Sequence, residues 1–290
     1  VSGQGERGTV VAGRYRIEAA LGEGSFGAVY RAQRIDDGAW VALKILHEHA
    51  ASDPETRARL RREATALATL AHPHVVSVVE LGEDAGRMFL VTELLEGRTL
   101  ADAIEQGLEP AEGLRLVDQV LGGLAFAHAM GVTHRDLKPG NVFVVPGAGA
   151  SHVKILDFGL AKFDEPGAFG HHTQLTRAGA ILGTPDYMAP EQVFGPKVDA
   201  RADVYAAGIV LFEVLTGRTP FAGETELTDL FRAHAATPPP TLAETRGDRR
   251  FAPALEAVVK KALEKRPDDR FADARAMRTA LSRVPKPAVS

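Results

Sequence analysis

The sequence predicts an α+β chain of two unequal lobes, a small β-rich one carrying a single key helix and a larger, mainly helical one. Three observations lead there. Short apolar runs bounded by Gly or charged turns dominate residues 15–91, helical periodicity takes over after Gly97, and 290 residues exceed the roughly 150 of a typical single domain. A composition of 45% hydrophobic and 25% charged residues is enough to bury a sizeable core without covalent staples.

In the small lobe, Tyr15 to Leu21, Ala28 to Gln33, Trp40 to Ile45 and Met88 to Val91 read as strands. Asp53, Pro54 and Glu55 start a helix, Leu60, Ala64, Leu67 and Ala71 recur at helical spacing, and His72 and Pro73 stop it. The change of character falls near Leu94 to Gly97. Beyond it Thr99 to Gln106, Pro110 to Met130, Ala202 to Thr216, Glu224 to Ala235, Ala252 to Glu264 and Phe271 to Ser282 read as helices. Val142 to Val145 and Val153 to Leu156 are β-prone pieces joined by a Gly-rich turn. The longest apolar run, Val204 to Leu215, is interrupted by Glu213 and falls short of the ~20 residues that span a bilayer, so it reads as a buried helix. Residues 158–190 are rich in Gly, Thr and His and lack periodicity; a loop this long in a compact domain is usually functional, which marks a candidate switch.

Several function classes are excluded at once. With no cysteine there is no disulfide, thiolate nucleophile or cysteine-held metal cluster. A net charge of −4, from 34 basic and 38 acidic residues, argues against a generally basic nucleic-acid binder. No apolar export segment is visible near the start, and Val1 in place of Met points to a longer parent chain, in which a membrane segment elsewhere stays open.

The chemistry is concentrated in a few motifs. Gly22, Gly24 and Gly27 form a GxGxxG run, a weak signal alone, whose backbone amides can approach a phosphate closely. Because Ala28, Val29 and Tyr30 continue as a strand, the run resembles a hairpin lid over a nucleotide rather than a dinucleotide-binding turn. Lys44 ends the apolar run Val41 to Leu43, and Glu63 lies in the basic helix where its carboxylate can pair that ammonium. Taken singly, each is an ordinary surface charge. The sharpest motif is His134-Arg135-Asp136-Leu137-Lys138-Pro139-Gly140-Asn141. Asp136 can orient a hydroxyl and accept its proton, Lys138 can stabilise a migrating phosphoryl group, and Asn141 can offer an oxygen to a metal. Asp157, with Phe158 and Gly159, adds a carboxylate suited to magnesium. His171 and His172 lack further ligands at suitable spacing and read as a polar loop.

Together with Gly183 to Glu191 (GTPDYMAPE), Asp203 to Gly208 and Arg270, these motifs resemble the eukaryotic-type serine/threonine protein kinase domain, most like its bacterial branch, over Tyr15 to Ser282. The resemblance implies residues 1–13 as a flexible N-terminal segment, a catalytic unit over 14–283 (N-lobe 14–93, hinge 94–97, C-lobe 98–283) and a tail or linker at 284–290. It implies ATP with magnesium, or manganese as a substitute ion, in the cleft. Leu21, Gly22, Glu23, Gly24, Ser25, Phe26 and Gly27 would cover the phosphates, Lys44 would contact them, and Glu63 would anchor Lys44. Val29, Ala42 and Phe143 would sandwich the adenine, Thr92 would guard the back of the pocket, and backbone groups of Glu93 and Leu95 would bind the adenine edge. Asn141 and Asp157 would hold the metal ions, Asp136 would position the substrate hydroxyl, and Thr184 would orient Asp136 and Lys138.

The stretch from Asp157 to Glu191 resembles the activation segment. Arg135 goes with ordering by phosphorylation, with Thr176 the first candidate and Thr173 the second. Glu191 and Arg270 should form a buried ion pair of structural role. Two departures from the family pattern, Gly140 for a larger residue and Thr133 for an aliphatic one, touch no catalytic group. The leading expectation is a kinase acting on serine and threonine hydroxyls of proteins and on its own activation segment, with a homodimer for transfer in trans, a cytoplasmic location, no nucleic acid and no membrane contact from this segment. A pseudokinase scaffold that binds nucleotide without turnover is the alternative, disfavoured because none of Lys44, Glu63, Asp136, Asn141 and Asp157 is missing. A small-molecule phosphotransferase fits less well, because GTPDYMAPE suits a peptide substrate.

Overall fold

The computed structural model describes residues 6–24, 27–47, 58, 61, 68, 70–158, 185–195, 198–285 and 289. The chain divides into two compact units, Val1–Glu96 and Gly97–Ser290. The first holds β1 (Val10–Val11), β2 (Tyr15–Gly24), β3 (Gly27–Arg34), β4 (Trp40–Leu46), β5 (Val78–Asp84) and β6 (Arg87–Glu93). They form one antiparallel sheet in the order β1-β2-β3-β4-β6-β5.

The period-two alternation of the sequence decides which face is which. Val41, Leu43 and Ile45 of β4 bury against Tyr15, Ile17, Tyr30, Ala32, Phe89 and Val91, so Ala42 and Lys44 must point to the other face. Directly paired residues share a face, and Val29 pairs with Lys44 while Ala42 pairs with Thr92. Four expected ligand-contacting residues are thereby gathered on one side of the sheet.

Every strand expected in this unit is present, and two arrive unannounced. Val10–Val11 lies in the segment expected to be flexible, yet it pairs with Arg16 and Tyr15 and buries Val11. Strand β5 escaped notice because Glu80, Gly82, Glu83 and Asp84 interrupt its apolar pattern. It is an edge strand, where charge discourages pairing with another chain. Glu80 accepts hydrogen bonds from Arg14 at 2.7 Å and from the Tyr15 hydroxyl at 2.8 Å, which clamps the two margins of the sheet. Of the helix expected around 53–71, Ala58, Arg61 and Ala68 are described and are helical.

The second unit contains α1 (Leu100–Glu105), α2 (Pro110–Ala129), α3 (Pro190–Phe194), α4 (Ala200–Thr216), α5 (Leu227–Ala236), α6 (Leu242–Thr245), α7 (Pro253–Ala262) and α8 (Ala274–Ser282). A small sheet of β7 (Arg98–Thr99), β8 (Val142–Val145) and β9 (His152–Ile155) accompanies them. The apolar run at Val204 is, as expected, a buried helix, part of α4, closed by Gly217 at φ 82°. A Cβ on Gly208 would lie 2.8 Å from the Ala262 Cβ, so glycine there lets α7 approach α4. The remaining expected helices are present with ends moved by up to a turn. For α8 the cause is Asp273, whose carboxylate accepts from the Ala276 amide and fixes the start after Phe271. Helices α3 and α6 are too short to show periodicity in sequence. Among the described residues no helix is long and apolar enough to cross a membrane.

Arg270 forms the expected pair with Glu191, at 2.7 and 2.8 Å, with the guanidinium fully buried. Its remaining donors reach the carbonyls of Glu264, Lys265 and Arg201, so all five N–H groups are used. The guanidinium also lies over the Tyr205 ring. The Tyr205 hydroxyl is 2.9 Å from Nδ1 of His234, which is wholly buried, packs against Phe221 and has the Lys265 ammonium close by. Burial first, and the Lys265 charge second, push His234 down to about 4. An unfolded histidine titrates near 6.5, so between these values the unfolded chain binds more protons and stability falls as pH falls. Chemical denaturation at about pH 7 and pH 4.5 should show the wild type losing about 2 kcal/mol more than His234→Gln, which keeps a partner for Tyr205 but does not titrate. Equal losses in both proteins would exclude this histidine as the acid-sensitive group.

Candidate active site

In the first unit the GxGxxG run straddles the β2–β3 hairpin, with Gly22 opposite Val29 and Gly24 opposite Gly27. The glycines have separate reasons. A Cβ on Gly27 would sit 2.1 Å from the Ile45 carbonyl oxygen, so β4 itself forbids a side chain there. Among the described residues nothing lies within 4 Å of a notional Cβ at Gly22, and at Gly24 the nearest atom is 3.9 Å away. Those two face open space, which suits close approach by a ligand. Leu21 and Glu23 are exposed beside them. Glu93 donates its amide to the Ser77 carbonyl at 3.1 Å and accepts the Ser77 amide on its side chain at 2.8 Å. Its own carbonyl accepts from the Thr92 hydroxyl at 3.3 Å, and Leu95 follows just past the end of β6.

In the second unit the catalytic-loop motif is held from beneath by a residue that sequence reading quoted without a role. Asp203, at the head of α4 and fully buried, accepts the amides of His134 at 2.7 Å and Arg135 at 2.8 Å, and His128 Nε2 at 2.8 Å. Burial alone would raise its pKa, but the His128 hydrogen bond and charge, with His134, outweigh it and the net shift is downward. The readable signal was an acid opening an otherwise apolar run. His128 Nδ1 in turn faces the Ala274 amide at 3.3 Å, tying α2, α4 and α8 to the loop.

The loop also braces itself. His134 Nε2 lies 2.8 Å from the Leu156 carbonyl, which can only accept, while its Nδ1 accepts the Asp136 amide at 3.2 Å. The Leu156 amide returns to the Asn141 carbonyl at 2.8 Å. Leu156, the residue preceding Asp157, is thus held at both its N–H and its carbonyl by the loop that carries Asp136 and Asn141. Asp157 is in the left-handed region at φ 48° and Arg135 at φ 64°, conformations uncommon outside glycine and characteristic of functional sites. Asn141 Nδ2 donates to the Asp136 carbonyl at 2.8 Å and to its Oδ2 at 3.1 Å, and Lys138 Nζ lies 3.4 Å from the same Oδ2. With its amide nitrogen committed to Asp136, Asn141 turns its side-chain oxygen the other way. That oxygen and the Asp157 carboxylate are a hard donor set that fits a divalent metal. Phe143 projects from β8 on the face opposite buried Val142 and Val144. At Gly140 nothing among the described residues lies within 4 Å of a notional Cβ.

The turn Pro185–Tyr187 is fixed by a 2.6 Å hydrogen bond from the Tyr187 hydroxyl to Glu213. Burial, and then the neighbouring carboxylate, raise the Tyr187 phenol. Ser25, Phe26, Glu63, Thr173, Thr176 and Thr184, and with them the Lys44–Glu63 pair and the phosphorylation candidates, lie outside the described residues.

Comparison with known proteins shows the family. The family described as "Protein kinase domain" matches residues 15–281. The serine/threonine-protein kinase pkn3 of Myxococcus xanthus is 40% identical over 283 residues, covering 96% of this chain and 51% of that protein. Pkn1 of the same organism is 40% identical over 270 residues, covering 93% and 38%. PknB of Mycobacterium leprae is 36% identical over 277 residues, covering 93% and 43%. The chain therefore spans about half or less of these relatives. Among solved structures, the Mycobacterium tuberculosis PknI kinase domain superposes with a TM-score of 0.73 at 30% identity, covering 95% of this chain and 97% of that one.

Proposed function

The chain belongs to the protein kinase domain family, and from that premise we propose that it transfers the γ-phosphoryl group of ATP to serine and threonine hydroxyls of proteins, its own activation segment included. The observation that carries the proposal is the Asp136 carboxylate, held by Asn141 beside Lys138 on a loop whose amides are anchored by Asp203. In this reading Asp136 orients the incoming hydroxyl and accepts its proton, and Lys138 offsets charge on the transferring group. Asn141 and Asp157 would hold a divalent ion, magnesium with manganese as substitute, which when bound supplies positive charge to the phosphate oxygens. Lys44 would reach the phosphates from the face it shares with Val29, Ala42 and Thr92, the face against which the adenine would rest. This reading carries with it a cytoplasmic setting, where ATP is supplied, and a transient homodimer for modification of one copy by another.

Purified protein incubated with γ-labelled ATP and magnesium should label itself and a generic basic protein. Label should appear on serine or threonine, with Thr176 or Thr173 modified. Lys44→Met should lower the rate by about 100-fold. A protein that binds nucleotide but never transfers phosphate would replace this reading with that of a scaffold.

A further inference from the structure

The peptide group joining Arg135 to Asp136 decides where the Asp136 side chain points, and Arg135 enters it from a left-handed conformation at φ 64°. Its N–H is taken by His134 Nδ1 at 3.2 Å. Its carbonyl accepts from Gln192 Nε2 at 2.8 Å, while Gln192 Oε1 accepts the Ala189 amide at 3.0 Å. Gln192 is 4% exposed, and from 57 residues beyond Arg135 it joins that residue's backbone to that of Ala189 by hydrogen bonds of opposite sense. The carboxamide orientation follows without ambiguity, since Ala189 N can only donate and Arg135 O can only accept. A carboxylate there would set one of its oxygens against the Arg135 carbonyl, and an apolar side chain would remove both hydrogen bonds.

We propose that Gln192 is a positioning residue of the phosphoryl-transfer reaction, aiming Asp136 through the Arg135 carbonyl and coupling it to the adjoining segment Pro185–Ala189. This rests on the kinase reading above. A purely packing role for Gln192 would need only its volume. The positioning role needs a donor toward Arg135, and protonation can supply or remove that donor in a carboxylic acid of the same shape.

The test uses Gln192→Glu and Gln192→Met, with kcat, the KM for ATP and the melting temperature measured from about pH 6 to 8.5. Burial raises a carboxylic acid's pKa, so the carboxyl introduced by Q192E should be ionised at the alkaline end and protonated toward the acid end, where its O–H again donates to Arg135 while its other oxygen accepts from Ala189. The ratio of kcat for Q192E to that of the wild type should therefore rise about tenfold as pH falls. For Q192M the ratio should stay about tenfold down at every pH, with the KM for ATP unchanged. If Q192E does not fold, the kcat of Q192M decides alone. A flat Q192E ratio, a Q192M kcat within about twofold of wild type, or a Q192M protein that does not fold would each overturn the positioning role. An inactive wild type would instead bring down the kinase reading and this inference with it, so the two failures are distinguishable.

Discussion

Replacing Asp136 with Asn is expected to lower phosphoryl transfer by about 1,000-fold while leaving the fold and nucleotide affinity close to wild type. The two side chains are isosteric, and the stronger of the two Asn141 bonds goes to the Asp136 backbone carbonyl at 2.8 Å, which the substitution does not touch. The neighbouring amides remain anchored on Asp203. What disappears is the negative charge that Lys138 faces at 3.4 Å and the basic oxygen that receives the hydroxyl proton. Single-turnover assays with labelled ATP measure the first effect, and calorimetric titration of nucleotide measures the second. Transfer within tenfold of wild type would show that another group takes the proton.

Residues that act through a local spacing were legible in the sequence. GxGxxG needs only two neighbouring strands, and the spacing from Asp136 to Asn141 fits within one turn and its flanks, so their joint geometry is encoded nearby. Lys44, Ala42 and Val29 were named by the resemblance, and strand alternation with antiparallel pairing sets them on one face. Residues that act across long chain separations were not legible. Asp203 meets His134 and Arg135 from 69 and 68 positions away, and Gln192 meets Arg135 from 57 away. Nothing in their immediate surroundings specifies those partners. At Gly27, expected to lie over the phosphates, the structure adds a constraint that the pattern does not reveal, the carbonyl of Ile45. A glycine pattern reports that a side chain is excluded without saying by what.

Asp203→Asn should behave differently from the Asp136 substitution, losing stability and activity together. The wild-type carboxylate accepts three hydrogen bonds on two oxygens in a fully buried site. A carboxamide keeps one acceptor and turns an N–H₂ toward at least one of the donors from His128, His134 and Arg135, leaving buried N–H groups opposed. The cost is about 3 kcal/mol, read as a lower denaturant midpoint. Without the clamp the Arg135 peptide is free to relax from its left-handed conformation, and displacement of Asp136 by an ångström or so would lower kcat by about 100-fold. The sign of the pH dependence supplies a second check. Because the carboxyl of Asp203 is held below its ordinary range in the fold, its stabilisation is present at neutral pH and is lost only as pH falls through that depressed value. The stability gap between wild type and Asp203→Asn should therefore stay constant from neutral pH through the His234 transition and close only in stronger acid. A gap that narrowed already between about pH 6.5 and 5 would mean that the anchor is not an ionised carboxylate.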